Sequence, residues 1–197
     1  MHARYLQAVA TPEQLPPPTH CEFGFVGRSN CGKSSLINGL LNSKLARTSA
    51  MPGRTQMLHY FELQIDPEVS MLLVDLPGYG FNKTPQKTQK TWDVLIQAFL
   101  GRGSLQEIFF LHDIRRTLED VDFALLEDLL EVKKVSLVLT KTDKLSTQEK
   151  KKRLEGIRAE LGAEFSDLPL YPISNLHKDG IDALRLYMQQ QVRDESN

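Results

Sequence analysis

Gly27-Arg28-Ser29-Asn30-Cys31-Gly32-Lys33-Ser34 is a G-x-x-x-x-G-K-S stretch, and its reading decides the fold. Ahead of it, Phe23–Val26 is a short apolar run of strand type. Behind it, Lys33–Leu41 places Leu36, Ile37, Leu40 and Leu41 on one helical face. Strand, glycine-rich turn and helix in that order make a phosphate loop. The glycines let the chain wrap a phosphate with backbone N–H groups, and the helix N-terminus adds a favourable partial charge. Lys33 is the candidate to reach the β- and γ-phosphates, and the Ser34 hydroxyl the candidate ligand for Mg²⁺.

Working outward, short apolar runs alternate with segments of helical period, the pattern of an α/β fold with a mostly parallel sheet. Met57–Leu63 and Val69–Val74 read as two strands joined at Asp66-Pro67, hence an antiparallel pair. Ile108–Leu111, Val135–Leu139 and Leu170–Ile173 read as further strands. Helices are expected over Gln86–Leu100, around Leu118, Val121, Leu125, Leu129 and Val132, around Leu154, Ile157 and Leu161, and around Ile181, Leu184 and Met188. The sum is a six-stranded, mostly parallel sheet with one antiparallel strand, flanked by about five helices: the α/β fold of a P-loop NTPase. Residues 1–20 hold Pro12, Pro16, Pro17 and Pro18 and read as an extended arm or poorly ordered tail; 21–193 read as one domain and 194–197 as a tail.

Composition bounds the function. The chain has 197 residues, 24 basic against 25 acidic, net charge −1, with 41% hydrophobic and 25% charged side chains. Those are ordinary globular proportions and ample for a buried core. Balanced charge excludes a polyanion binder held by overall positive charge. No apolar run approaches the roughly 20 residues of a membrane span, Met1–Pro18 has no signal-peptide pattern, and Cys21 and Cys31 give no disulfide framework. A cytoplasmic monomer is the expectation. Locally the charge is uneven. Residues 1–61 carry six basic and two acidic side chains, 81–116 six and three, and 117–132 six acidic and none basic. Lys150–Arg153 is unbroken basic. Any one such run is ordinarily a solvated face.

Four further elements bear on the loop. Asp75-Leu76-Pro77-Gly78 follows a strand, with Asp75 placed for the Mg²⁺ shell through water and the Gly78 N–H for sensing a γ-phosphate. Thr140-Lys141-Thr142-Asp143 follows another strand. A carboxylate at Asp143 can accept from guanine N1–H and the exocyclic amine, a donor pair adenine lacks. The Lys141 stem can cover the base, and the backbone of Ile173-Ser174-Asn175 can meet the guanine carbonyl. Between the phosphate loop and Asp75 lies Pro52-Gly53-Arg54-Thr55-Gln56-Met57, where Thr55 can add a metal ligand from a switch loop that orders with the triphosphate.

Gly27–Asn38, Arg47-Thr48-Ser49 with Pro52–Gln56, Asp75-Leu-Pro-Gly-Tyr-Gly80, Asp113-Ile-Arg115 and Thr140–Asp143 resemble the bacterial EngB (YihA/YsxC) family of the Era- and septin-like GTPases. The resemblance runs from about Leu15 to Tyr187. It implies that the P-loop NTPase fold is a G domain, and that the chain is a GTP-binding protein that hydrolyses GTP and acts in assembly of the large ribosomal subunit, with rRNA and ribosomal proteins as partners. It also implies an association with cell division and septation, and Mg²⁺ at Ser34 and Thr55. Cys31 stands where Ala or Val is usual, and would be open to oxidation if exposed. Asn175 stands where a small residue is usual. Tyr79 stands where Ras-like enzymes place a water-orienting Gln, so slow intrinsic hydrolysis is expected. Asn30 in related GTPases helps hold K⁺; here it either does so or simply caps the loop.

The basic stretches, including Lys83, Lys87 and Lys90 just past the 75–80 element, offer phosphate contacts to an rRNA surface. Two alternatives stand beside this reading. One is a division-site signalling GTPase without an RNA partner, against which His2 and the Ser196-Asn197 end offer no lipidation motif. The other is a P-loop nucleotide kinase, which the guanine motif argues against.

Overall fold

The computed structural model describes residues 1–46, 57–67, 69–79 and 94–195. One sheet carries seven strands: β1 His2–Val9, β2 Cys21–Gly27, β3 Leu58–Gln64, β4 Ser70–Asp75, β5 Leu105–Asp113, β6 Val135–Thr140 and β7 Leu170–Pro172. Their spatial order is β1-β3-β4-β2-β5-β6-β7. β3 is antiparallel to both of its neighbours, β1 and β4. The pairs β2–β4, β2–β5, β5–β6 and β6–β7 are parallel. A single strand therefore runs against the rest.

The helices are α1 Lys33–Leu41, α2 at 94–100, α3 Asp120–Leu130, α4 Thr147–Leu161 and α5 Ile181–Glu195. Both sheet faces are covered, so the central strands are apolar on both sides rather than alternating with polar residues. Phe23, Phe25, Phe109, Leu111, Met71 and Leu73 pack under Leu36, Ile37 and Leu40 of α1 and Leu184 and Met188 of α5. Ile108, Phe110, Leu72 and Val74 point the other way, into Leu95 and Phe99 of α2, Leu126 and Leu129 of α3, and Ile157 and Leu161 of α4.

The sheet has seven strands where the sequence pattern predicts six. The added one, β1, comes from the segment read as an extended arm. It is extended, and it is paired: His2 to Val9 form a ladder against Gln64 to Leu58, with a bulge between Tyr5 and Gln7. The prolines start only at Pro12, beyond the strand. The bulge breaks strict alternation, which hides the strand from a period-two reading.

The face of α3 also differs from expectation. Val121 and Val132 are 43% and 53% exposed, while Leu118, Asp122, Leu126 and Leu129 are buried. The expected stripe therefore holds at Leu118 and Leu129, with Leu125 packed at its edge, and fails at Val121 and Val132; the buried positions it omits are Asp122, a charged residue that apolar periodicity does not register, and Leu126. Of the helix expected over Gln86–Leu100, residues 94–100 are helical; 86–93, Trp92 included, lie outside the described residues.

The chain leaves β2 toward β4 on one side and later toward β5 on the other. That reversal makes a crevice at the carboxyl ends of the strands, where open α/β sheets bind ligands.

Candidate functional site

The phosphate loop spans the turn from β2 into α1. Asn30 (φ 63°) and Gly32 (φ 98°) both lie in the left-handed region, which points successive N–H groups into one concavity. Gly27 is required by contact: a Cβ there would stand 2.7 Å from both Cys31 Sγ and the Leu111 carbonyl oxygen. Cys31 is 4% exposed. Burial pushes its thiol up to about 11, so the oxidation open to an exposed cysteine does not apply to it.

Lys33 projects from the first turn of α1. Its ammonium donates to the Leu76 carbonyl at 2.7 Å and pairs with the Asp75 carboxylate. Asp75 ends β4, and the Leu76 N–H bonds to the Phe25 carbonyl at 2.9 Å, which holds the 75–79 loop on β2. Gly78 lies directly on the phosphate loop: a Cβ on it would meet the Gly27 carbonyl oxygen at 3.2 Å and Ser29 Oγ at 3.4 Å. Pro77 leads the chain into that approach.

The second half of the site is built by β6 and the turn after β7. The Thr140 hydroxyl donates to the Cys31 carbonyl and lies 3.2 Å from the His112 carbonyl. Lys141 adopts φ 61° and reaches back so that its ammonium donates to the Asn30 carbonyl at 2.5 Å. Its other partner is Asp113 Oδ2 at 3.0 Å. Asp113 also takes the Arg115 guanidinium at 2.7 Å. Burial raises the Asp113 pKa, but the bonds from Arg115 and Lys141 outweigh it and hold the carboxyl well below the usual range.

Asp143 accepts from Ser174 Oγ at 3.2 Å and lies 3.3 Å from the Lys144 ammonium. Desolvation opposes its charge, yet those two contacts keep it ionised below the ordinary value. Thr142 N–H bonds to the Ile173 carbonyl at 3.2 Å, tying the two loops. Asn175 Nδ2 donates to the Gly32 carbonyl at 3.3 Å, and its Oδ1 is buried without a partner. The phosphate loop, 75–78, 140–143 and 173–175 thus converge on one crevice.

Gly53, Arg54, Thr55 and Gln56 lie outside the described residues, as do Lys83, Lys87 and Lys90; Met57 is described and is 40% exposed. Among the described residues no cluster of three or more His, Cys, Asp or Glu could hold a metal alone. A metal here would draw on other ligands besides Ser34 and Asp75.

Two sets of contacts have no counterpart in the sequence reading. Arg28 of the loop pairs with Glu119 at 2.7 Å, and Tyr79 donates to Asp122 at 2.7 Å. Both acids open α3 as a capping box, a pattern the sequence carries but does not aim at the loops. Arg153, part of the basic run, is committed to the Ile114 carbonyl and Glu160; Lys151 and Lys152 are exposed.

Comparison with known proteins agrees with this geometry. A family profile described as a 50S ribosome-binding GTPase matches residues 22–141. The probable GTP-binding protein EngB of Coxiella burnetii (strain RSA 331) is 38% identical over 98% of this chain and 94% of its own. The probable GTP-binding protein EngB of Escherichia coli O6:K15:H31 is 42% identical over 87% of this chain and 81% of its own. Among solved structures, a probable GTP-binding protein engB aligns with TM-score 0.63 at 22% identity, covering 88% of this chain and 100% of that one. Era in complex with MgGDPNP and nucleotides 1506–1542 of 16S ribosomal RNA aligns at 0.70 and 24% identity, over 86% of this chain and 56% of that one. These two likenesses establish the shared fold. No helix among the described residues is long and apolar enough to cross a membrane.

Proposed function

This chain belongs to the EngB family of GTP-binding proteins, a GTPase family, and on that premise we propose that it is a slow GTPase switch in assembly of the large ribosomal subunit. The observation that carries the reading is the match over residues 22–141 to a 50S ribosome-binding GTPase profile. Exposed Lys151 and Lys152 on α4 supply a basic face for phosphate contacts. The proposed place of action is the cytoplasm, as a monomer, with an association with normal cell division and septation.

In this reading the loop N–H groups and Lys33 hold the β- and γ-phosphates, and the Gly78 N–H meets the γ-phosphate. Ser34, Thr55 and, through water, Asp75 hold Mg²⁺; hydroxyl and carboxylate oxygens are the hard donors it takes. Bound there, Mg²⁺ would neutralise charge on the phosphates. Asp143 accepts from the guanine N1–H and exocyclic amine. Ser174 orients Asp143, the Lys141 stem covers the base, and the Asn175 backbone meets the carbonyl.

Slow hydrolysis is supported by Tyr79. Its hydroxyl is bonded to Asp122 and its ring sits 5.5 Å from Phe110. The side chain at the water-orienting position is therefore turned into the core. Asn30 remains the candidate K⁺ contact, and equal hydrolysis rates in K⁺ and Na⁺ would remove it from that role.

Depletion of the protein followed by sucrose-gradient analysis tests the reading. An incomplete large subunit should accumulate. Normal subunit profiles alongside a septation defect would favour a division-site GTPase without an RNA partner.

A further inference from the structure

Asp122 has no exposed surface. A buried carboxylate is costly unless its oxygens are hydrogen-bonded. Here Oδ1 accepts from the Tyr79 hydroxyl at 2.7 Å and Oδ2 from the Glu119 N–H at 2.9 Å. The Arg28 guanidinium stands 3.9 Å from Oδ2 and 2.7 Å from Glu119 Oε1. A helix cap needs only the bond to Glu119 N–H. It explains neither why the acid is fully buried nor why its second oxygen meets Tyr79.

Tyr79 is joined directly to Gly78, and Gly78 is packed on the carbonyl of Gly27. Burial, and then the bond to Asp122, raise the phenol's pKa far above its usual value, so it remains a donor throughout the physiological range. The bond pins the end of the 75–79 loop to α3, and Arg28 pins the phosphate loop to the same helix start.

We propose that Asp122 is a positioning residue: through Tyr79 it holds Gly78 against the phosphate loop, where the chain distinguishes a nucleoside triphosphate from a diphosphate. The inference rests on the reading of Gly78 as the γ-phosphate contact, and it goes beyond that reading in assigning α3 the task of holding the contact in place.

The test is binding of a non-hydrolysable GTP analogue and of GDP to the full chain, to Tyr79→Phe, to Asp122→Ala and to the double variant, with thermal melts alongside. Tyr79→Phe removes one hydroxyl and keeps the ring on Phe110. It should shift the analogue-to-GDP affinity ratio about tenfold toward GDP, about 1.4 kcal/mol, with GDP affinity nearly unchanged. Asp122→Ala should shift the ratio the same way, and the double variant should add little to either. A ratio that stays within twofold in Tyr79→Phe while the parent chain discriminates overturns the proposal and leaves the reading of Gly78 intact. A parent chain that does not discriminate overturns both. If Asp122→Ala does not fold, Tyr79→Phe alone decides.

Discussion

Replacing Asp143 by asparagine probes guanine recognition with one atom changed. The carboxylate is 6% exposed as a side chain, with Ser174 Oγ at 3.2 Å on one oxygen and the Lys144 ammonium at 3.3 Å from the other. Asparagine keeps an oxygen for Ser174, so the loop should hold its shape. Toward guanine, Asp143→Asn loses one hydrogen bond to a charged acceptor, about 1.5–3 kcal/mol, and sets an amide donor against a base donor, a further 1–3 kcal/mol for the unpaired group. A total of about 2.5–6 kcal/mol weakens GDP and GTP by roughly two to four orders of magnitude. Xanthine carries a carbonyl where guanine carries its exocyclic amine, so the new amide donor finds an acceptor and xanthine nucleotides should bind the variant better than the parent. Fluorescence titration with labelled GDP and competition by XDP read both effects, with a thermal melt as the folding control. A GDP affinity reduced by less than about fivefold in a folded variant would refute the assignment of Asp143 to the base.

Gly27→Ala should lower stability by about 2 kcal/mol, because the added carbon meets a backbone carbonyl as well as Cys31; for a chain this size Tm should fall by about 4–8 °C, and an unchanged melt would contradict the packing. Cys31 should resist alkylation in the native chain at pH 8 and react once the chain is unfolded, since burial raises its thiol to about 11; stoichiometric labelling of native Cys31, read by peptide mass, would refute this. Asp113 binds its proton more weakly folded than unfolded, because the Arg115 and Lys141 bonds outweigh its burial. Its contribution is therefore present above the unfolded carboxylate pKa, near 4, and is lost as pH falls through the lower folded value. Asp113→Asn should flatten the acid limb of a stability-versus-pH curve from urea melts, and identical limbs would contradict the ion pair.

The strands carrying the site were legible because each is a short apolar run followed by a glycine-rich or polar motif. α1 is legible to the residue, since Gly32 at φ 98° fixes where the helix starts and Asn42 at φ 48° where it stops. β1 was illegible because its bulge breaks the alternation that marks a strand, and because the prolines at Pro12 and beyond draw attention to disorder. The face of α3 was legible at Leu118, Leu125 and Leu129 but not at its centre, for a related reason. Hydrophobic periodicity registers apolar side chains, while the centre of that face is Asp122, which beyond the local Glu119 N–H finds its partners 43 residues away in Tyr79 and farther still in Arg28. The same blindness applies to Arg153. In sequence it extends a basic run, and in the fold it is spent on the Ile114 carbonyl and Glu160. A sequence displays charge, and only the fold shows which charges are already neutralised.

The central claim is a switch whose ribosomal contact depends on nucleotide. It is tested most directly by co-sedimentation of the purified chain with large-subunit precursor particles, in a non-hydrolysable GTP analogue and in GDP, at low and high salt. The account predicts binding with the analogue, less with GDP, and loss of both at high salt as phosphate contacts are screened. Binding indifferent to nucleotide and salt, or no binding in either state, would contradict it.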